Sequence, residues 1–313
     1  MFSNALNAVL TLLLIGVVGF LMHRAGWIDD RVEDFLTKAV LKVFVPISLF
    51  NNALKYVTAD FFRSASLAVP AVIIFACFGA GILAMKLTGV QKGTRGIFLT
   101  LFSCSNTLFV GLPVCSYFFG EIAVPYISMY YMCNTILFWV IGVTLIAADG
   151  GEPLRPNLQV VIRLVKSPIT AFLIGCVVKL MGLSLPTFLS DALSSLGSLG
   201  TPLSTILIGA IVGGVGLGEL TKLSRQSAAA LLGRFVVCPA IALLCCRLFQ
   251  LPALVSGVFV MMTAMPMMNQ ALIMARQYRS DVRFASQCHP VSMLLTPVVI
   301  PVVAVVIGLV FPL

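Results

Sequence analysis

The fold of this chain is decided by the stretch Ser105-Asn106-Thr107-Leu108-Phe109-Val110-Gly111-Leu112-Pro113-Val114. This stretch lies in the middle of an apolar run that is long enough to cross a lipid bilayer. It contains an amide, hydroxyls, a glycine and a proline, which a membrane helix usually avoids at mid-depth. A bilayer offers no water to freed backbone groups, so a broken helix is stable there only where the break lines a cavity in the protein. The stretch therefore predicts a broken membrane helix.

The composition places the whole chain in a membrane. Of its 313 residues, 60% are hydrophobic and 10% are charged, and the mean hydropathy is +1.08. A soluble domain is closer to half apolar and one quarter charged, so this chain cannot cover itself with polar side chains in water. Its apolar runs are continuous rather than alternating, which indicates helices. The sequence predicts an all-α integral membrane protein with the lipid bilayer as its surroundings.

Charge and cysteine content exclude several other classes of protein. The formal net charge is +9, but the basic residues are scattered singly between apolar runs and form no stripe with interleaved aromatics. We therefore expect no nucleic-acid partner. The nine cysteines contain no CxxC pair and lie mostly inside apolar runs. They are predicted to be small core residues, with no metal site and no disulfide framework.

Ten apolar spans can be drawn along the chain, and all but the short sixth have about 20 residues or more. They cover residues 5–22, 30–52, 62–87, 96–119, 122–148, 169–182, 189–217, 228–249, 252–278 and 288–312. The first has no basic residue before it and no small-residue cleavage site, so we expect a retained span rather than a signal peptide. Asp30 and Glu33 resemble a capping box that opens the second span.

The lysines and arginines near the span ends predict the orientation. With the N-terminus outside, thirteen of them fall in cytoplasmic loops and four in external loops. The thirteen are Arg24, Arg31, Lys86, Lys92, Arg95, Arg155, Arg163, Lys166, Lys222, Arg225, Arg276, Arg279 and Arg283, and the four are Lys55, Arg63, Lys179 and Arg247. This asymmetry predicts a multi-pass inner (plasma) membrane protein with both termini outside.

Five spans in each half would place the second half upside down relative to the first. Weak internal similarity favours such an inverted repeat: Leu14-Ile15-Gly16-Val17-Val18 matches Leu173-Ile174-Gly175-Cys176-Val177, and Pro46 matches Pro202. We predict a first five-helix repeat over residues 1–148, a cytoplasmic loop over 149–163 and a second, inverted five-helix repeat over 164–313.

The repeat predicts a second broken helix in the ninth span. Ala264-Met265-Pro266-Met267-Met268-Asn269-Gln270 lies there in an apolar run. Proline removes a backbone donor and frees carbonyls, and amides are costly in hydrocarbon without partners. The alternative for either segment alone is a kinked helix with a packing amide. Two such segments at equivalent places favour a pair of broken, crossing helices, the fourth and the ninth.

Two crossing breaks at mid-membrane would form a binding site for an anion. The N-terminal ends of half-helices carry partial positive charge and bind carboxylates, while the opposed carbonyl ends can hold a cation. No charged residue occurs between Arg95 and Glu121 or between Arg247 and Arg276. We therefore expect a pocket of amides and dipoles without a fixed charge, and we expect Lys179 and Arg234 to extend to an interface.

The candidate substrate-binding residues come from the two breaks and from neighbouring spans. They are Asn106, Thr107, Gly111, Pro113, Pro266, Asn269, Gln270, Asn51 and Asn134. For Asn51 and Asn134 the alternative is hydrogen bonding between helices. The sequence has no HExxH, GxSxG or Walker motif, and the glycine run 213–218 lacks the Lys-Ser/Thr that a phosphate loop needs. An enzyme is therefore not expected, nor is a cofactor.

Several of these residues resemble a known family. Asn106-Thr107 followed by Gly111-Leu112-Pro113-Val114 is similar to the fourth-helix motif of the auxin efflux carriers. Pro266 with Asn269 and Tyr278 resembles their proline-centred ninth helix, and Pro46 also fits. The resemblance extends over essentially the whole chain. The departures are Leu108-Phe109 and Met267-Met268, where small residues are usual, and they leave the size and identity of the substrate open.

The resemblance implies the fold of the bile acid–sodium symporters. In that fold helices 1, 2, 6 and 7 form a scaffold, and helices 3–5 and 8–10 form a transport domain around the crossover. Family members move organic anions such as indole-3-acetate, malonate or malate, and the plant carriers are similar dimers, which implies a homodimer through the scaffold helices. The short loop between the halves favours a compact prokaryotic permease.

The function expected from the sequence is a secondary active or facilitative transporter of small organic anions, working by alternating access. A coupling ion, H⁺ or Na⁺, is left open. The alternatives are a sodium-coupled symporter of the bile-acid type and, from another class, a membrane receptor or scaffold that binds without translocating.

Overall fold

The computed structural model describes residues 2–57, 68–151, 168–214 and 223–311 of the chain. In these ranges the protein consists of helices and connecting turns, without a β-strand. The helices are α1 (Phe2–Arg24), α2 (30–56), α3 (Val69–Thr88), α4 (Arg95–Ser103), α5 (Thr107–Phe119), α6 (Glu121–Asp149), α7 (Ile169–Leu180), α8 (Thr187–Ser198), α9 (Gly200–Gly214), α10 (Arg225–Leu248), α11 (Ala253–Thr263), α12 (Asn269–Gln277) and α13 (Val282–Val310).

The helices confirm an integral membrane protein at the level of length and composition. Of the described helices, α3, α6, α10 and α13 are each long and apolar enough to cross a membrane. Shorter apolar helices include α5 and α11. The predicted fourth, seventh and ninth spans each consist of two helices, namely α4 with α5, α8 with α9, and α11 with α12. The count of ten spans stays a prediction.

Three predicted segments fall outside the described residues. These are the start of the third span before residue 68, the loop between the halves after residue 151, and the glycine-rich end of the seventh span after residue 214.

Capping side chains mark the starts of the second and the last helix, and they correct the sequence prediction at both. The second span begins with Asp29 as its cap, because the Asp29 carboxylate accepts hydrogen bonds from the N–H groups of Arg31 (3.1 Å) and Val32 (2.9 Å). The predicted capping box of Asp30 and Glu33 is therefore wrong. The last helix begins at Val282 instead of residue 288, because the Asp281 carboxylate accepts from the N–H of Phe284 (2.9 Å).

Glycines allow two pairs of helices to pack backbone against backbone. In the contact between α1 and α9, a methyl group on Gly19 would overlap the carbonyl of Ile206, and one on Gly209 would overlap that of Gly16. In the contact between α7 and α2, a methyl group on Gly175 would lie 2.7 Å from the carbonyl oxygen of Phe50. Small residues are typical of close helix contacts in membranes.

Polar contacts join helix ends at two opposite ends of the bundle. At one end, the Asp149 carboxylate of α6 accepts from the N–H groups of Gly96 (2.7 Å) and Ile97 (3.0 Å), which begin α4. The Ser280 hydroxyl, just after α12, also donates to Asp149 (3.5 Å). Gly150 packs so closely on the Tyr278 carbonyl that an added methyl group would overlap it. The ends of α4, α6 and α12 are therefore joined.

At the other end, an ion pair and an aromatic contact join further helices. Lys55 of α2 donates to the carboxylate of Glu121 in α6 (3.0 Å), and the Tyr56 hydroxyl donates to the same oxygen (2.9 Å). Gly257 of α11 faces the ring of Phe119 at the end of α5, where an added methyl group would lie 2.8 Å from the ring. Helix ends that the charge pattern places on one side of the membrane thus contact each other.

Candidate functional site

The two polar stretches singled out in the sequence are breaks between helices, and they meet. The first break (residues 104–106) separates α4 from α5, and the second break (residues 264–268) separates α11 from α12. The N–H of Asn106 donates to the carbonyl of Pro266 (2.7 Å), and Ser105 pairs with Met267 as an isolated antiparallel bridge. The hydrogen bond thus satisfies a buried backbone donor of the first break with a backbone acceptor of the second.

The first break leads directly into a wide helical turn. Asn106 caps α5, because its side-chain oxygen accepts from the N–H of Phe109 (3.3 Å). Its Nδ2 is buried and has no hydrogen-bond partner within the described residues. Thr107–Gly111 forms a π-turn, closed by a hydrogen bond from the N–H of Gly111 to the Asn106 carbonyl (3.0 Å). π-turns often occur at functional sites.

Asn134 of α6 holds the backbone of the first break from the side. Its Nδ2 donates to the carbonyl of Ser105 (2.9 Å), and its Oδ1 accepts from the N–H of the same residue (3.2 Å). The Thr107 hydroxyl lies 3.4 Å from Asn134 Nδ2. This is the helix–helix hydrogen bonding that the sequence left open for Asn134, and it makes Asn134 a support of the break.

The second break is held by α13 rather than α6. The N–H of Met267 donates to the Ser292 hydroxyl (3.1 Å), which itself donates to the carbonyl of His289 (2.7 Å). Asn269 begins α12, and its Oδ1 is buried without a partner in the described part of the chain. Gln270 follows it and is half-buried. The breaks therefore carry an unused amide donor on Asn106 and an unused amide acceptor on Asn269.

Packing explains the glycine and the proline in the opening stretch. Gly111 faces Met262, just before the second break, and Met265 within it, where an added methyl group would lie 2.7 Å from Met262 Sδ and 3.3 Å from Met265 Cγ. Pro113 is buried in α5 directly after the π-turn, where it lacks the N–H that a regular helix would use for its next hydrogen bond. Both residues position the backbone of the breaks.

Arg234 does not lie where its sequence context predicted. It is 0% exposed and donates through Nη2 to the carbonyl of Thr263, the last residue of α11. It therefore does not extend to an interface, and the region of the breaks is not free of fixed charge. The physical reason is local: Gly233 packs against the ring of Phe102 and begins a π-turn (Gly233–Val237). The signal that could have found it is a lone charged residue inside an apolar run.

Asn51 lies apart from the two breaks, in the wall of a cavity of about 380 Å³ between α2, α5, α6, α8 and α9. Its walls also carry Ser48, Asn52 and Tyr117, with the Lys55–Glu121 ion pair. Tyr117 lies near the end of α5, whereas Asn106 caps the start of that helix. Within the described residues, no group of three or more His, Cys, Asp and Glu side chains could hold a metal ion.

A comparison with known protein families gives the context of this geometry. The sequence model of the family described as "Membrane transport protein" matches residues 4–304. The chain belongs to this family. It is the family of the auxin efflux carriers, as the stretch after Asn106 and the segment around Pro266 indicated.

Two archaeal proteins are similar to this chain over most of its length. An uncharacterized transporter of Methanothermobacter thermautotrophicus is 24% identical over 312 residues, which are 98% of this chain and 99% of the relative. An uncharacterized transporter of Methanocaldococcus jannaschii is 22% identical over 291 residues, or 89% of this chain and 91% of the relative. Family and relatives agree on membrane transport, and neither relative's name states a substrate.

Proposed function

We propose that this protein is a secondary active or facilitative transporter of small organic anions, working by alternating access around the two breaks. The observation that carries the proposal is the pairing of the breaks through the Asn106 N–H and the Pro266 carbonyl. Half-helices whose ends meet inside the protein are typical of substrate sites in secondary transporters. Because α5 and α12 both begin at the breaks, their N-terminal N–H groups can face an anion.

The proposed architecture consists of ten spans in two inverted five-helix repeats, over residues 1–148 and 164–313. The pairing of α1 with α9 and of α7 with α2 supports it, because these pairs correspond to each other under the repeat. In the first pair Gly19 packs on the carbonyl of Ile206, and in the second Gly175 packs on that of Phe50. Ile206 lies four residues after Pro202, and Phe50 lies four residues after Pro46, the proline that the repeat matches to Pro202.

In the proposed site, the carboxylate of the substrate accepts from the free Nδ2 of Asn106 and from N–H groups at the starts of α5 and α12. Thr107, Asn269 and Gln270 supply further hydrogen bonds, while Gly111, Pro113 and Pro266 shape the backbone. Asn134 supports the first break. Asn51 belongs to the cavity between the proposed scaffold helix α2 and the transport helix α5, which we assign to the path of the substrate.

The remaining parts of the proposal concern the surroundings of the protein. Both termini lie outside the plasma membrane, the loop 149–163 is cytoplasmic, and the scaffold helices form a homodimer. Transport is coupled to H⁺, to Na⁺ or to neither. A sodium-coupled symporter and a receptor without transport are the competing functions, and the same experiment separates them.

The test is counterflow of labelled malonate, malate and indole-3-acetate in proteoliposomes, with and without sodium and a pH gradient. We expect saturable exchange of at least one anion. A receptor or scaffold exchanges none, and exchange that stops without sodium favours the symporter. Wild-type protein that exchanges no organic anion under any condition contradicts the proposal.

The site is tested by variants of Asn106. Asn106→Asp keeps the oxygen that caps α5 but replaces the free amide with a negative charge, so we expect exchange to fall about tenfold or more through repulsion of the anion. The double variant Asn106→Ala, Asn269→Ala is expected to lose exchange as well. Gln226→Ala, at an exposed amide that bonds the Gly89 carbonyl, is the control. Normal transport by the double variant would show that the site assignment is wrong.

A further inference from the structure

One helix, α10, contacts the carbonyl end of both broken helices. The Cys238 thiol donates to the carbonyl of Phe102, near the end of α4 (3.3 Å), and the Arg234 guanidinium donates to the carbonyl of Thr263 at the end of α11. The last carbonyls of a helix carry partial negative charge. In transporters with broken helices, such ends commonly hold the coupling cation. Here the end of α11 is occupied by a cation of the protein itself.

The guanidinium is buried with most of its donors unused. Arg234 is 0% exposed, and its Nε and Nη1 have no hydrogen-bond partner in the described part of the chain. Among the described residues, the titratable groups that act on its charge are the Tyr130 hydroxyl and the thiols of Cys77, Cys104 and Cys238, and none of these four is a carboxylate. Arginine stays protonated in proteins, so the positive charge of Arg234 is permanent.

The ion pairs among the described residues do not neutralise this charge. They are Lys38 with Asp34 and Lys55 with Glu121, and both lie in exposed positions away from Arg234. Removing an unpaired ion from water is strongly unfavourable. The partial charge at the end of α11 offsets part of that cost. The unused Nε and Nη1 donors are free to bond an anion, which would offset the rest.

The position of Arg234 connects it to the site at the breaks. Thr263 directly precedes the second break, and Met267 of that break pairs with Ser105 next to Asn106. On α6, Tyr130 lies one helical turn before Asn134, which bonds both the N–H and the carbonyl of Ser105. Arg234 therefore lies directly beside the breaks, whereas Lys55 and Arg247 lie at helix ends.

We propose that Arg234 is a fixed cation of the transport site, which occupies the carbonyl end of α11 in place of a mobile coupling ion and whose charge selects an anionic substrate. This inference rests on the proposed function and specifies which residue gives its binding site a fixed charge. The substrate class that fits is an organic monoanion or dianion, whose carboxylate is balanced by Arg234 and the starts of α5 and α12. Sodium is then not required for binding.

The test compares three variants of Arg234 in the counterflow assay. Arg234→Lys keeps the charge, Arg234→Gln keeps a donor for the Thr263 carbonyl, and Arg234→Met removes both. The substrates are the anion that the wild type exchanges and its primary amide, which has the same shape without the charge. The matched control is Arg247→Gln, because Arg247 lies on the same helix and also donates to a carbonyl, that of Val310 (3.1 Å), but is exposed.

We expect Arg234→Gln and Arg234→Met to raise the KM for the anion about tenfold while the preference for anion over amide collapses. Arg234→Lys retains that preference, and Arg247→Gln leaves both quantities unchanged. A purely structural arginine lowers the amount of folded protein without changing the preference of the surviving fraction. Folded variants that keep the wild-type KM and preference overturn the inference but leave the proposed function intact.

A second measurement does not depend on the folding of any variant. Wild-type exchange is expected to stay unchanged within about twofold when choline replaces sodium on both sides of the membrane, because Arg234 already occupies the carbonyl end. A strict sodium requirement overturns the inference and favours the sodium symporter. Wild-type protein that exchanges no anion at all refutes the proposed function and this inference together.

Discussion

The first and second breaks use the same backbone device but are held by different partners. The first is fixed by an amide, since Asn134 bonds Ser105 at both its N–H and its carbonyl. The second is fixed by a hydroxyl, since Ser292 accepts from the N–H of Met267. At the carbonyl ends that precede the breaks, the first meets a neutral thiol and the second meets a guanidinium.

This difference indicates a division of roles between the breaks. The first break is the better satisfied of the two and carries the free amide donor of Asn106, so it is suited to present hydrogen bonds in a fixed direction. The second break has a single side-chain support for its backbone and the only charge beside the breaks among the described residues. It is suited to supply electrostatic attraction. Variants at matched positions can test this division.

The largest effect on stability is expected from Asn134→Leu. This change leaves the N–H and the carbonyl of Ser105 without their side-chain partner in a buried position. At about 1–3 kcal/mol for each unsatisfied group, the free energy of unfolding should fall by about 3 kcal/mol, seen as a lower Tm in detergent. Asn52→Leu is the control, because the Asn52 amide bonds the Ser48 carbonyl within its own helix. Equal losses from the two variants would contradict the role of Asn134.

A slightly smaller effect is expected from Gly233→Ala. The added methyl group would overlap the ring of Phe102, which must then move away from the end of α4. Overpacking of this kind costs about 1–3 kcal/mol, so Tm should fall. Gly79→Ala in α3 is the control, since a methyl group there meets no atom within 4 Å, and alanine favours a helix. A stabilising Gly233→Ala would show that the contact of α10 with Phe102 is not tightly packed.

Ser292→Ala tests the second break directly. It leaves the N–H of Met267 unbonded by any side chain, and the expected loss is about 1 kcal/mol. The loss should be clearly smaller than that of Asn134→Leu, because one backbone group is affected instead of two. Ser198→Ala, at an exposed hydroxyl that bonds the Ser195 carbonyl, is the control for removing a helical serine. Losses in the reverse order would refute the view that the first break is the better supported.

The smallest effect is expected from Cys238→Ser. Serine preserves a donor for the Phe102 carbonyl, and a thiol is only a weak donor, so the change in the free energy of unfolding should stay below about 1 kcal/mol. Anion preference should not change, in contrast to the Arg234 variants. A Cys238→Ser protein with altered anion preference would mean that the two carbonyl ends do not differ in their role.

Much of the fold followed from the sequence, because both breaks are visible locally. An amide or a proline in the middle of an apolar run conflicts with an uninterrupted membrane helix, and Asn106 and Pro266 mark both places. The pairing of Ser105 with Met267 could only be expected through the repeat. Their direct contact depends on tertiary packing over a long separation in sequence.

The sequence failed where a side chain had to be oriented. Arg234 lies in the third turn of α10, a distance from which an arginine on a regular helix commonly reaches an interface. The contact of Gly233 with Phe102 and the π-turn that begins there direct the side chain inward, and neither can be recognised from periodicity alone. The same limit applies to Asn134: the sequence shows an amide within an apolar span, but its partner Ser105 lies in the break between α4 and α5.

The joined helix ends decide how the crossing pair can move. A break in a helix is usually treated as a hinge. Here the half-helices are fastened to one another in three places: at the breaks, at Asp149 and Gly150 beside the outer ends of α4 and α12, and at Gly257 against Phe119. Bending at the breaks would strain both outer joints at once. We therefore expect the four half-helices to move together as one unit, so that a displacement of one is transmitted to the other three.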